Sequence, residues 1–326
     1  MKPYQGYLIL LYYIVLIIIG FLASKYIQFI LSLALIYAIV AMGLVILIGY
    51  CGLISFGQGA FYAIGAYSVG LIYKYAHIEN VEILFTIGII AGTLISILIG
   101  LLCIRTRKIA FAMITLAFTM IIYTILLKFY YITGGTDGLR IPIVKIAGFI
   151  PFRGRELPIS NEYFFIVTIF VVVLYLTTRI INSPFSYTLR MLRDAEVRAI
   201  SLGISPSKAY LIAFTYSGFL GSIAGTLYAF LNAHIDPSLA YWTTSGEFVF
   251  ITILGGISSI GGVILASIIY TFLKAYLIAY TAYYWQFAIG IMLLLIVFLS
   301  PKGISLIIDK TSRVFYKFIK LYKKTS

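Results

Sequence analysis

Apolar runs long enough to cross a lipid bilayer follow one another along almost the whole of this chain, at 7–24, 27–48, 60–75, 83–103, 109–131, 163–179, 209–231, 245–257, 261–280 and 284–299. A helix needs about 20 apolar residues to cross the hydrocarbon core, with roughly 17 as the lower limit. Lipid offers backbone N–H and C=O groups no partner, so such runs must be helical. The expected fold is therefore all-α: a polytopic membrane protein of about ten transmembrane helices, forming one membrane-embedded domain over 1–326. The run at 245–257 is short and ends in Gly255-Gly256, as a half-helix would. The first run lacks a small-residue cleavage site after a shorter core and reads as a retained span. Only 10% of the residues are charged, against about 25% in soluble domains.

One segment breaks the pattern. Residues 183–204 read SPFSYTLRMLRDAEVRAISLGI and place Arg190, Arg193, Asp194, Glu196 and Arg198 within nine positions. A charged helix held between membrane spans must lie at the water interface, where it can meet a soluble partner.

The distribution of Lys and Arg orients the chain. With ten spans and both termini cytoplasmic, 16 of the 24 basic residues fall inside, including the 182–208 segment and the tail at 304–326. That tail sets Lys310, Arg313, Lys317, Lys320 and Lys324 against Val314, Phe315, Phe318 and Tyr322, a pattern suited to an anionic lipid surface. Basic residues clustered at the ends of apolar runs point to membrane topology and away from nucleic acid. Two cysteines, Cys51 and Cys103, form no disulfide framework.

Two interruptions share the pattern G-x-x-S-x-G: Gly52 to Gly57, with Ser55, and Gly256 to Gly261, with Ser259. Gly-interrupted segments in two halves of a membrane protein point to a transport pathway. Ordinary turns or close helix packing would give the same pattern. A pathway here would have largely apolar walls, Phe61 and Phe118 among them. The segment 132–161 is too long for a simple connector. It contains Thr133, Gly134, Gly135, Asp137 and Gly138 and suits either a docking surface on the outer side or a solvated loop.

The absences narrow the energy source. No G-x-x-x-x-G-K-[ST] occurs, so the chain carries no phosphate-cradling loop. Lys128, Lys274 and Glu247 fall near the outer ends of their expected helices, which argues against an ion relay. His77 and His234 have no ligand-spaced neighbours. No catalytic set, metal site or cofactor is expected. A transporter driven by a separate ATPase is what remains; an ion-coupled carrier would need no docking helix.

At this point the residues resemble a known family, the permease subunits of branched-chain amino-acid ABC importers of the LivM/LivH type. Gly52-Leu53-Ile54-Ser55-Phe56-Gly57-Gln58-Gly59-Ala60-Phe61 with Gly65-Ala66-Tyr67 is similar to its first block. Ala112 to Phe118, then Thr133-Gly134-Gly135 and Asp137-Gly138-Leu139, is similar to its second and favours the M type. The charged segment, with Leu254-Gly255-Gly256 and Gly261-Gly262 after it, resembles its third. Ser186, Tyr187, Ala195 and Arg198 depart from the family pattern, while Arg193, Asp194, Glu196, Leu202 and Gly203 match it.

The resemblance implies a second, related permease, two cytoplasmic ABC ATPase subunits and an extracytoplasmic solute-binding protein. Arg190, Arg193, Asp194, Glu196, Arg198, Leu202 and Gly203 would then couple to the ATPase, and the Thr133–Gly138 block would face the binding protein. Leu, Ile and Val are the implied solutes. Urea, short-chain amides and sugars are the alternatives within the same class of importer.

Overall fold

The computed structural model describes residues 4–106, 108–141, 144–146, 150–152, 160–280, 284, 286–291, 294 and 303–304. The expected basic tail lies beyond them, apart from Ile304. Each expected span before residue 284 has its helix: α1 Tyr4–Leu22, α2 Lys25–Leu44, α3 Gln58–Ala76, α4 Val81–Cys103, α5 Lys108–Lys128, α7 Asn161–Ile181, α9 Pro206–Asn232, α10 Trp242–Gly255 and α11 Ile260–Tyr280. Two further helices lie between spans, the short α6 Tyr130–Thr133 and the charged α8 Pro184–Ser201. Of the expected span 284–299, residues 286–291 are helical. Six described helices are long and apolar enough to cross a membrane. At 14 residues, α10 reaches about 21 Å at 1.5 Å per residue, short of a hydrocarbon core about 30 Å thick.

Burial separates the central helices from the peripheral ones. The apolar window of α2 is 94% buried, against 33% for α4 and 22% for α5. Apolar surfaces therefore remain exposed on α4 (Ile90, Leu94, Leu98) and on α5 (Met113, Ile121, Ile125), as contact with lipid or another apolar chain requires. Lipid tails are as apolar as leucine, so association in a membrane leans on close backbone approach through small residues. Here α9 serves as the common partner. A methyl group on Gly225 would collide with the Tyr62 carbonyl of α3, one on Gly65 with the Ser222 carbonyl, and one on Gly92 of α4 with the Ser222 hydroxyl.

Buried polar groups in this core are mostly satisfied. Gln28, at the start of α2, donates to the Gly20 carbonyl at 2.8 Å and accepts from the Ser160 amide at 3.1 Å, which ties the α1–α2 turn to the entry of α7. Tyr163 of α7 donates to the Leu16 carbonyl at 2.8 Å.

The long segment before α7 is fastened to the bundle. Its strand β1, Leu139–Arg140, pairs antiparallel with β4, His234–Ile235, beyond α9. A second antiparallel pair joins β2, Lys145–Ile146, to β3, Ile150–Pro151. Phe152 is fully buried against Phe165 and Phe230, with ring centroids 5.6 and 5.7 Å away.

The α3–α9 approach yields a test. Gly225→Ala forces the two helices apart or displaces the Tyr62 backbone, at a cost of about 1–3 kcal/mol. Thermal unfolding in detergent should show a midpoint lowered by several degrees; an unchanged midpoint would refute the packing described.

Candidate functional site

The charged segment folds as the sequence leads one to expect. Pro184 occupies the first turn of α8, where its missing N–H costs nothing. Leu189, Leu192 and Ala199 are buried beneath it. Tyr187, Val197, Ile200 and Leu202 are exposed, from 52% to 79%, along with Arg190, Asp194 and Arg198. The helix ends where Gly203 takes a left-handed φ of 82°. The Gly203 amide donates to Ile200 at 2.9 Å and the Ile204 amide to Ala199 at 3.1 Å, the bond pair of a Schellman cap.

One feature was not legible. At Ala195 the backbone leaves helical geometry (φ −152°, ψ 65°), dividing α8 in two. This is one of the positions that depart from the family pattern. Asn or Asp could there cap the second half with its side chain; alanine cannot.

α8 is bound to the end of α2 by two arginines. Beyond Leu44, α2 continues as a π-helical stretch, Val45–Cys51, closed by Gly52 in the left-handed region. The Leu53 amide reaches back to Leu47, leaving the Gly49 carbonyl among the unpaired acceptors of a helix end. Arg193 Nη1 donates to that carbonyl, and its Nε donates to Asp194 Oδ1 at 2.8 Å. A cation at a helix C-terminus also meets the negative end of the helix dipole. The same Arg193 hydrogen bond holds the Asp194 carboxyl below its ordinary pKa. Arg190 stacks over Tyr50, with its guanidinium carbon 4.5 Å from the ring centroid, a cation–π arrangement. Gly52 lies against the Arg193 side chain, and Gly49 against the Ile257 carbonyl of the second interruption. Three sequence blocks, around Gly49, Arg193 and Ile257, meet at this end of the bundle. Glu196 is half-buried on α8.

The two G-x-x-S-x-G segments, alike in sequence, differ in structure. The first has no regular secondary structure, and side chains of three helices hold it and the first turn of α3 that follows. The Phe56 amide donates to Thr115 Oγ1 at 3.2 Å and the Phe56 carbonyl accepts from Thr119 Oγ1 at 2.8 Å, both on α5. Ser55 accepts from the Gly57 amide at 3.1 Å. Gln58 donates to Ser217 of α9 at 2.8 Å, and the Gly59 amide to Ser245 of α10 at 2.9 Å. Phe61 is fully buried with its edge toward Phe214, while Phe118 is half-buried on α5. The second is a tight turn from α10 to α11. Ser259 accepts from the Gly262 amide at 3.1 Å, Gly256 is buried, and Gly261 is exposed beside Ile257 and Ser258. The Ile304 amide returns to the Leu254 carbonyl at 2.9 Å.

Thr115, Thr119, Ser217 and Ser245 went unnoticed in the sequence. Thr115, Thr119 and Ser217 carried a signal, each being a polar residue inside an apolar run, whereas Ser245 stands at the start of one among other polar residues. Lys274 lies as far in from the end of its helix as expected, and Glu247 lies deeper because α10 begins at Trp242. They form an ion pair between α10 and α11, about 8–9 Å in from the helix ends on the loop side by helical rise.

The Thr133–Gly138 block forms a compact turn on that side. Thr133 is buried and donates to the Leu126 carbonyl at 2.6 Å. Gly134 and Gly135 have positive φ, and Gly138 lies against the Ile235 backbone. Asp137 is exposed and accepts from the Tyr130 hydroxyl at 3.0 Å, a bond that raises the Tyr130 pKa.

Removing the threonine hydroxyls should expose how the first interruption is held. Thr115→Val with Thr119→Val leaves the Phe56 N–H and C=O unpaired, at about 1–3 kcal/mol for each group. The double variant should unfold several degrees lower in detergent than either single one; an unaltered midpoint would deny these bonds a structural role.

Comparison with known proteins gives a concordant result. The family model for the permease component of branched-chain amino acid transport systems matches residues 26–297. The chain is 30% identical over 303 residues to the high-affinity branched-chain amino acid permease protein LivM of Escherichia coli, covering 87% of this chain and 71% of that one. It is 29% identical to LivM of Salmonella typhimurium, covering 84% and 68%. To LivH of that species it is 26% identical, covering 82% and 90%. No solved structure matches the chain significantly. With its apolar helices and these relatives, the chain is a multi-pass membrane protein that belongs to the family of branched-chain amino acid transport permease components, closer to LivM than to LivH.

Proposed function

We propose that this permease forms half of the pore of an ATP-driven importer for Leu, Ile and Val. A second, LivH-like permease would supply the other half. Two ATPase subunits would dock on the α8 side, and a solute-binding protein on the side of the Thr133–Gly138 turn. The observation that supports this most is the attachment of α8 to α2 through Arg193–Gly49 and Arg190–Tyr50. Docking against the exposed Tyr187, Val197, Ile200 and Leu202 would displace α8, and the arginines would pass that displacement to α2. Because Gly49 also touches Ile257, the same motion would reach the α10–α11 turn. Glu196 and Arg198 would orient the docked ATPase. The solute would pass near Gly52, Ser55 and Gly57, with Phe61 and Phe118 among the apolar walls, and near Gly256, Ser259 and Gly261. The distribution of Lys and Arg supports a cytoplasmic α8 and cytoplasmic termini.

Three measurements test this. In proteoliposomes holding the complete transporter, labelled leucine uptake should be saturable and competed by isoleucine and valine. Uptake of urea or a sugar in its place would overturn the solute assignment. Arg193→Ala should lower uptake by about tenfold or more, as loss of a charge-assisted hydrogen bond can, while ATP hydrolysis stimulated by the binding protein continues. Normal uptake by that variant would remove the Arg193 tie from coupling. For orientation, a cysteine at Ser201 should resist impermeant reagents applied to intact cells; labelling there would reverse the assignment.

A further inference from the structure

Five helices bring polar side chains together on the loop side of the bundle, away from α8. The Lys274 ammonium of α11 donates to both Glu247 carboxylate oxygens of α10 at 2.7 Å, and the two side chains are 19% and 17% exposed. Tyr270 lies one turn before Lys274 on the same helix. Its ring centroid is 5.9 Å from the ammonium. Tyr62 of α3 lies 5.4 Å from Tyr228 of α9 and 5.2 Å from Phe248, and Phe248 lies 5.5 Å from Tyr37 of α2.

Helix packing alone does not account for this cluster. Charged side chains within a membrane are costly and mark substrate or ion pathways. Apolar residues of similar volume hold helices together as well as a buried ion pair or better. In addition, the Tyr62 hydroxyl is buried, with the residue 1% exposed, and has no hydrogen-bond partner among the described residues. An unsatisfied buried hydroxyl is unfavourable unless something meets it. Beside Glu247, the buried Gly246 has no described atom within 4 Å of the place where a methyl would sit.

We propose that the Glu247–Lys274 pair is a transit station for the zwitterionic head of an α-amino acid. The solute ammonium takes the place of Lys274 on Glu247, and the solute carboxylate takes the place of Glu247 on Lys274. The Tyr62 hydroxyl donates to that carboxylate, and the side chain rests among the rings of Tyr37 and Phe248. Each charge is exchanged for one of the same sign, so no uncompensated charge is left in the membrane at any stage. The exchange is close to balanced, which suits a pore that must release what it receives. The proposal rests on the reading of the solute as an amino acid, since urea or a sugar has no charges to exchange.

The test uses the complete transporter in proteoliposomes, with wild-type leucine uptake as the reference. Glu247→Gln with Lys274→Met removes both charges at once and leaves no unpaired ion. Uptake should fall about tenfold or more, on the scale of a lost charge-assisted hydrogen bond, with stimulated ATP hydrolysis retained. Wild-type uptake by this double variant would make the pair purely structural and overturn the proposal. Tyr62→Phe decides the matter if the double variant does not assemble. Its thermal midpoint should equal or exceed that of the wild type, while uptake drops several-fold; unchanged uptake overturns the proposal. If the wild type carries no amino acid, the functional reading fails and the station with it. If the wild type and both variants carry leucine equally, the station alone fails.

Discussion

The carbonyl of Gly49 is the point on which this architecture turns. A helix that ends inside a protein leaves acceptors that water would otherwise satisfy, and in a membrane those acceptors must find protein donors. Here the donor is the Arg193 guanidinium, delivered by the charged helix α8. A single bond thus satisfies a helix end, draws an interfacial helix against the bundle and joins segments distant in sequence. The π-helical stretch from Val45 to Cys51 contributes, because the Leu53 amide bonds to Leu47 and leaves Gly49 for arginine.

The irregular segment after α2 obeys the same rule by other means. It has no helix ladder of its own, so Thr115 and Thr119 bond its Phe56 backbone, while Ser217 and Ser245 take up Gln58 and Gly59 in the first turn of α3. Polar residues scattered singly through apolar helices gather around this irregular stretch and the helix start beside it. Glu247, Lys274 and the tyrosines near them form a separate polar centre, held by charge and with a hydroxyl to spare.

The helices were largely legible because lipid gives an apolar stretch of sufficient length a single option. The charged segment and its stop at Gly203 were legible for a similar reason, since charge density and a glycine at the right place each admit few structures. What lay beyond reach was pairing across long separations. Nothing local in RMLRDAE announces that Arg193 will meet Gly49 or that Arg190 will stack on Tyr50. Alanine at 195, where the family carries a capping residue, marked the place of the kink without announcing the kink itself. The two G-x-x-S-x-G segments show the limit of a short pattern: one became an irregular stretch held by threonines of α5, the other a turn. Thr115 lay within a recognised block, yet its part could be seen only once α5 stood beside Phe56.

The close approach of α3, α4 and α9 has a mechanical consequence. Where a methyl group would already collide, at Gly65, Gly92 and Gly225, neighbouring helices interlock like cogs without clearance. Sliding one past another by a single residue would bring Ile64 or Ala66 to the place of Gly65. These three helices therefore behave as one stiff body, and freedom to rearrange is left to α8, which is joined to the bundle through the Arg190 and Arg193 side chains. Rigidity and compliance are thus allotted along the chain by side-chain size.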